Sequence, residues 1–262
     1  MEITGGRKLS GTIATGYSKN GSVGLLCASI LNRGKTVLHG IARIEEVYRI
    51  IEILESIGVK VTWTGTNTVE IVPPKKFNVR KINRESAEKT RSILMFIGPL
   101  SHFLSSFYIP HASGCNLGKR TIAAHRYALE ELGVKVEVTS DKYEVSVKKF
   151  TPGQIVMYEA GDTPAENILT AAALIPGKTT IKFTSSNYQV QEICFFLEKC
   201  GVKVEGIGTS TLVIHGIRSI NKKIEYKNSE DPIESMALIA AAIATDSELT
   251  ITRCPTDFLQ LE

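Results

Sequence analysis

Along this chain hydrophobic positions switch between a helical and a strand period, and the switch recurs. An amphipathic stretch over 44–57, apolar at spacings of three and four, predicts a helix. Gly58-Val59-Lys60-Val61 follows, the glycine marking the helix end and the β-branched alternation a strand. The same order returns at 122–132 with Gly133-Val134-Lys135-Val136, and at 190–200 with Gly201-Val202-Lys203-Val204. After each strand comes a turn and a second strand, over 63–71, 138–147 and 206–214, which are hairpin signals.

Upstream of each amphipathic helix lies a more uniformly apolar one, over 23–31, 90–103 and 165–175. A strand separates the two helices each time, at 36–39, 105–109 and 179–183. The repeat is therefore βαβαββ, with roughly 70 residues per unit. Helices apolar on all sides belong at the centre of a fold, with sheets packed around them. A fourth unit opens with an apolar helix at Pro232–Ala244 and a strand at Glu248–Thr252. Residues 255–262 then read as the start of its second helix, with no fourth hairpin behind it. The expectation is an α/β fold of repeated units belonging to a longer protein.

Composition narrows the function classes. The 262 residues are 43% hydrophobic and 22% charged, with a formal net charge of +4. No Lys/Arg block stands out, so nucleic acid is not an expected partner, while small anions fit a mildly basic chain. The five cysteines are Cys27, Cys115, Cys194, Cys200 and Cys254, with no CxxC among them. Their odd number, and the apolar or helical runs that hold three of the four besides Cys115, suit reduced thiols and a cytoplasmic protein, and their spacing does not suit a metal. No run is long enough to span a bilayer, so no membrane association is expected either.

One loop carries chemistry. Ser113-Gly114-Cys115-Asn116-Leu117-Gly118-Lys119-Arg120 joins a strand to a helix. Gly114 and Gly118 permit a tight turn with exposed N–H groups. Lys119 and Arg120 favour the thiolate of Cys115 and form a site for a phosphate or carboxylate.

This loop, with Ser18-Lys19-Asn20, Lys89-Thr90-Arg91, Gly98-Pro99-Leu100 and His125 in that order on that repeat, resembles the enolpyruvyl transferases. The closest likeness is to the branch that acts on UDP-N-acetylglucosamine. The resemblance implies an inside-out barrel type of fold, with a substrate cleft between two three-unit domains. Residues 20–224 would form one complete domain, and 1–19 with 225–262 part of the other. It implies transfer of the enolpyruvyl group from phosphoenolpyruvate to the 3′-hydroxyl of a UDP-sugar or related acceptor, with loss of phosphate and no cofactor. That reaction opens peptidoglycan synthesis, and with it cell-wall growth and division. Lys19, Asn20 and Cys115 would be catalytic; Gly114, Arg91, Lys119, Arg120 and His125 would bind substrate. The general base is expected beyond residue 262, so this chain alone is expected to lack turnover.

Some positions depart from the family. Thr121-Ile122-Ala123 stands where a Pro-Val-Asp holds the base of the nucleotide. Glu159 replaces a lysine, Gly161-Asp162-Thr163 replaces a Ser-Val-Gly turn, and Asn187-Tyr188-Gln189 replaces Glu-Pro-Glu. The phosphoenolpyruvate side is kept and the nucleotide side rewritten. A relative with another acceptor, or a non-catalytic binding module, are the alternatives.

Because Lys119 and Arg120 stabilise its thiolate, Cys115 is expected to react faster with an anionic epoxide than Cys27, Cys194, Cys200 or Cys254. Peptide mapping after limited labelling checks this. Equal labelling elsewhere would reduce Cys115 to an ordinary surface thiol.

Overall fold

The computed structural model of the chain describes residues 5–111 and 121–259. Its first unit follows from the hydrophobic pattern. β1 (Ser10–Ala14) leads to α1 (Lys19–Ala28), β2 (Thr36–His39), α2 (Glu45–Ser56) and a hairpin of β3 (Lys60–Trp63) and β4 (Thr68–Val72). In α1 every residue from Gly21 to Ala28 is buried. In α2 only one face is: Val47, Ile50, Ile51, Ile53 and Leu54. The glycines that close the three amphipathic helices, Gly58, Gly133 and Gly201, have φ of 100°, 91° and 94°. That is left-handed backbone, where a Cβ would be strained.

The second unit runs through α3 (Arg84–Glu88), a 3-10 stretch (Arg91–Phe96), α4 (Ile97–Leu100) and β5 (Ser106–Pro110). It closes with α5 (Ala123–Glu131), β6 (Val134–Val138) and β7 (Lys142–Val147). The third holds β8 (Gln154–Val156), α6 (Asp162–Ala172), β9 (Gly177–Lys182), α7 (Tyr188–Cys200), β10 (Lys203–Glu205) and β11 (Thr211–Gly216). β12 (Ile224–Lys227), α8 (Pro232–Ala244) and β13 (Glu248–Thr252) follow. The apolar helices sit inside: α1 packs on α2 and α7, and α6 packs on α4, α5 and α7. Leu25, Leu26, Phe96 and Phe196 are fully buried there.

The sheets lie outside, in the orders β12-β2-β4-β3, β5-β7-β6 and β10-β11-β9-β8, with β1-β13 as a separate pair. β12 lies parallel to β2, Ile224 opposite Thr36, although β12 is the strand that leads into α8. β1, which leads into α1, instead lies parallel to β13, Ser10 opposite Glu248. The first and fourth units have thus exchanged their opening strands. The chain crosses itself where this happens. Ser18 N donates to Ser229 O at 2.9 Å and Asp231 N to Gly16 O at 2.9 Å. Buried Asn228 donates from Nδ2 to Ser18 O and Gly40 O, both at 2.9 Å. Beyond the crossing, α8 buries only Pro232 and Ser235, and Ile243 is 75% exposed.

Two expectations need correction. The predicted helix over 90–103 is a 3-10 stretch followed by one short turn of α-helix. Asn167 of α6 is the cause. Its Oδ1 accepts from Gly98 N at 2.7 Å and its Nδ2 donates to Leu94 O at 2.9 Å. These are the two groups an α-helix would join directly, so an inserted amide has replaced one rung of the ladder. Pro99 then removes the next donor. Residue 98 must be glycine, since a Cβ there would lie 2.4 Å from Asn167 O. The second correction is at 255–262, where the described residues form only a 3-10 turn at Thr256–Phe258.

Asn167→Leu would strand the Gly98 N–H and the Leu94 carbonyl in the core. Each such buried group costs about 1–3 kcal/mol. A loss of about 3 kcal/mol in urea unfolding is expected, and a loss below about 1 kcal/mol would show that the segment re-forms an ordinary helix.

Candidate active site

Helix N-termini from different units converge on one region. Ser18 caps α1, its Oγ accepting from Gly21 N at 3.0 Å, and this places Lys19 and Asn20 in the first turn. Lys19 Nζ lies 2.5 Å from Glu46 Oε2 in the first turn of α2. Glu46 Oε1 also accepts from Thr90 Oγ1 at 2.9 Å and Ser92 Oγ at 2.7 Å. Burial pushes the Glu46 carboxyl up, but hydrogen bonds from Lys19, Ser92 and Thr90 and the Lys19 charge hold it below the ordinary carboxylate value. Sequence reasoning missed Glu46; an acid in the first turn of an amphipathic helix looks like ordinary dipole compensation.

Beside this cluster is a cavity of about 630 Å³ lined by Asn20, Arg91, Thr121, Ala124, His125, Glu159, Gly161, Asp162, Thr163, Pro164 and Gln189. Three of the expected site residues meet there: Asn20 from the first unit, Arg91 and His125 from the second. Lys19 lies next to it, engaged by Glu46. Cys115, Gly114, Lys119 and Arg120 lie outside the described residues, but Thr121, which follows Arg120, is in the wall. Arg91 donates from Nη2 to Thr121 O at 2.9 Å.

His125 is 4% exposed. Its Nδ1 is 3.1 Å from Asn167 Nδ2 and its Nε2 is 3.4 Å from Thr163 Oγ1. Asn167 Nδ2 can only donate, so His125 Nδ1 is the acceptor and the ring is neutral. Burial, with a smaller contribution from the Arg91 charge, lowers its pKa from 6.5 to about 3. The residue that breaks the 90–103 helix therefore also sets the tautomer of a site histidine.

The lining also carries two carboxylates. Asp162 Oδ1 accepts from Ser185 Oγ at 2.5 Å and Oδ2 from Asn187 Nδ2 at 3.1 Å, while Glu159 is exposed. Gln189, 5% exposed, accepts from Asn20 Nδ2 at 2.8 Å. Among the described residues no group of three or more His, Cys, Asp or Glu is arranged to hold a metal ion. Nor is any helix among them long and apolar enough to cross a membrane.

Repeated βαβαββ units with sheets outside and helices inside bring Asn20, Arg91, His125 and Asp162 from three units to one cavity. The chain belongs to the EPSP synthase (3-phosphoshikimate 1-carboxyvinyltransferase) family, whose sequence profile matches residues 3–262. It is 31% identical over 258 residues to a UDP-N-acetylglucosamine 1-carboxyvinyltransferase of Bradyrhizobium diazoefficiens, covering 98% of this chain and 59% of that protein. A protein of the same name from Treponema denticola is 32% identical over 250 residues, covering 95% of this chain and 58% of its own length. The chain thus spans a little under three-fifths of the length of these two relatives. In fold it is similar to the enolpyruvyl transferase NikO from Streptomyces tendae, with a TM-score of 0.77 at 20% identity over 90% of this chain and 56% of that one. It is also similar to EPSP synthase from Acinetobacter baumannii, with a TM-score of 0.66 at 16% identity over 86% of this chain and 51% of that one.

A histidine neutral in the fold and able to charge when unfolded makes stability depend on pH. Its lowered folded value means the contribution is intact above about pH 6.5 and is lost as pH falls toward 3. At pH 5 the loss is about 2 kcal/mol, one pKa unit being about 1.4 kcal/mol. His125→Asn is expected to flatten the dependence of urea midpoint on pH between 7 and 5. An unchanged slope would mean His125 charges in place.

Proposed function

We propose that this chain carries the phosphoenolpyruvate-binding side of an enolpyruvyl transferase. The observation that supports it is the joint presence of Asn20, Arg91, His125 and Thr121 on one cavity. The proposed reaction moves the enolpyruvyl group to the 3′-hydroxyl of UDP-N-acetylglucosamine, the first committed step of peptidoglycan synthesis. The substrate's phosphate and carboxylate call for cations that stay charged, which Arg91 and Arg120 supply. Lys19 exchanges Glu46 for the arriving phosphate, and Lys119 adds a further positive charge. Cys115 protonates C3 as the acceptor oxygen bonds C2 and the hydroxyl proton passes to a general base; alternatively its sulfur bonds C2 first and leaves as thiolate before the acceptor oxygen takes its place. Loss of the C3 proton and breakage of the C2–O bond then release phosphate. Asn20 hydrogen-bonds the reacting centre, and His125 lines it as a neutral group. On this reading 20–224 is one three-unit domain and 1–19 with 225–262 belong to a second, with the crossing near Ser18 and Ser229 as their junction.

A second reading, the same transfer to another acceptor, is favoured by the two carboxylates in the lining. Glu159 and Asp162 repel a diphosphate, and an exposed like-charge contact near 4 Å costs on the order of 1 kcal/mol. Ala123 offers no carboxylate to a base, and a charged hydrogen bond contributes about 1.5–3 kcal/mol.

The two readings separate by calorimetric titration. Phosphoenolpyruvate binding should weaken at least tenfold in Arg91→Ala under either. UDP-N-acetylglucosamine should bind weakly to the unmutated chain and at least tenfold more tightly to the Ala123→Asp, Glu159→Lys double variant. Micromolar affinity without mutation, and no gain from the double change, would rule out the second reading.

A further inference from the structure

The three apolar runs whose first turns carry Asn20, Arg91 and Asp162 to the candidate active site all end at a second, smaller cavity. The first of them, α1 with the 3-10 turn behind it, covers about 20 Å at 1.5 Å per residue before it reaches Leu31. Leu31 lines this cavity together with Phe103, just after α4, and Leu174, just after α6. The volume is about 230 Å³, below the roughly 300–1,000 Å³ of sites for drug-sized molecules, so it suits a small occupant. Its charged lining residues are Arg33 and Arg218, and no carboxylate joins them. The candidate active site, by contrast, sets Arg91 among Glu159 and Asp162.

Arg33 is held from two sides. Its Nη2 donates to Pro74 O at 2.7 Å and Lys75 O at 2.8 Å. Its guanidinium lies over Phe77 and Phe103, 5.4 and 5.0 Å from the ring centroids. Among the described residues no carboxylate pairs with Arg33 or Arg218, and the exposed side chains of Arg218 and Ser219 make no hydrogen bond. Nor do the helix ends call on these charges. The last carbonyls of α6 are already taken, Ala171 O by His102 Nε2 at 2.8 Å, Ala172 O by Ile175 N at 3.1 Å and Ala173 O by Ile217 N at 3.0 Å. Behind α4, Leu100 O accepts from Phe103 N at 2.9 Å. His102 stacks on Phe150 with ring centroids 4.7 Å apart, and burial lowers its pKa from 6.5 to about 4. It therefore adds a flat, uncharged face at neutral pH.

We propose that this cavity is a second ligand site, for a small aromatic carboxylate whose anion meets Arg33, Arg218 and the Ser219 hydroxyl and whose ring packs on Phe103 and Phe150. A planar carboxylate matches the guanidinium fork, and a flat apolar body matches the aromatic side chains beside it. The site is separate from the candidate active site and owes nothing to the transferase reading.

The test uses the chain with ¹³C-labelled leucine methyls, and benzoate, benzyl alcohol and orthophosphate as probes. The Leu31 and Leu174 signals are assigned by their loss in Leu31→Ile and Leu174→Ile. Benzoate is expected to shift both, and benzyl alcohol, which lacks the charge, to bind at least tenfold more weakly. Arg218→Gln is an exposed change, and its other leucine signals report that the fold is intact; benzoate affinity is expected to fall at least tenfold. In Arg91→Ala it should change no more than twofold, which separates this cavity from the candidate active site. Leu31 and Leu174 signals indifferent to benzoate, or equal affinity in Arg218→Gln, would overturn the site. Orthophosphate displacing benzoate at equal concentration, or benzyl alcohol binding as tightly, would overturn the ligand class.

Discussion

The buried amide of Asn167 is the constraint on which the site's geometry depends. One side chain accepts from Gly98 N, donates to Leu94 O and donates to His125 Nδ1. A carboxamide in the core is tolerable only if its polar atoms are matched, and here its oxygen and nitrogen both are. The match fixes three things together: the 3-10 course of the segment that starts with Arg91, the close approach of α6 to α4, and the neutral tautomer of His125. Arg91 and His125 then face a common space because the segments bearing them are both tied to α6.

A second tie works beside the cavity. Glu46 gathers Lys19, Thr90 and Ser92, so α1, α2 and the start of the 3-10 stretch share one carboxylate. A carboxylate with three donors is electrostatically satisfied and resists protonation. It also means Lys19 is held by an anion of the protein itself, in the region where an anionic ligand is proposed to bind.

Much of the scaffold was legible in the sequence because its determinants are local. Glycine after an amphipathic run, and valines alternating behind it, specify a helix end and a strand without reference to the rest of the chain. α2, α7, α8 and β13 fall where that pattern puts them. The 90–103 segment was misread because Asn167 acts from a distant element, and composition alone makes that segment look helical. Lys19, Asn20, Arg91 and His125 were legible as a set only through family resemblance, since nothing in spacing brings them together. Glu46 was not legible at all, and Gln189 only as a departure from the family's Glu-Pro-Glu, because each takes its meaning from a partner on another helix. The loop with Cys115 lies outside the described residues, so its place in the site rests on Thr121, its neighbour in sequence.

The exchange of opening strands between the first and fourth units bears on how the chain is made. β2 emerges from the ribosome early, yet the strand that pairs along one of its edges, β12, is synthesised only after the second and third units are complete. Until then that edge offers unpaired N–H and C=O groups to any passing strand. Pairings so far apart in sequence are slow to close. The nascent chain therefore carries a sticky edge through most of its synthesis, and the last strand to cover it arrives together with the residues that tie the crossing shut.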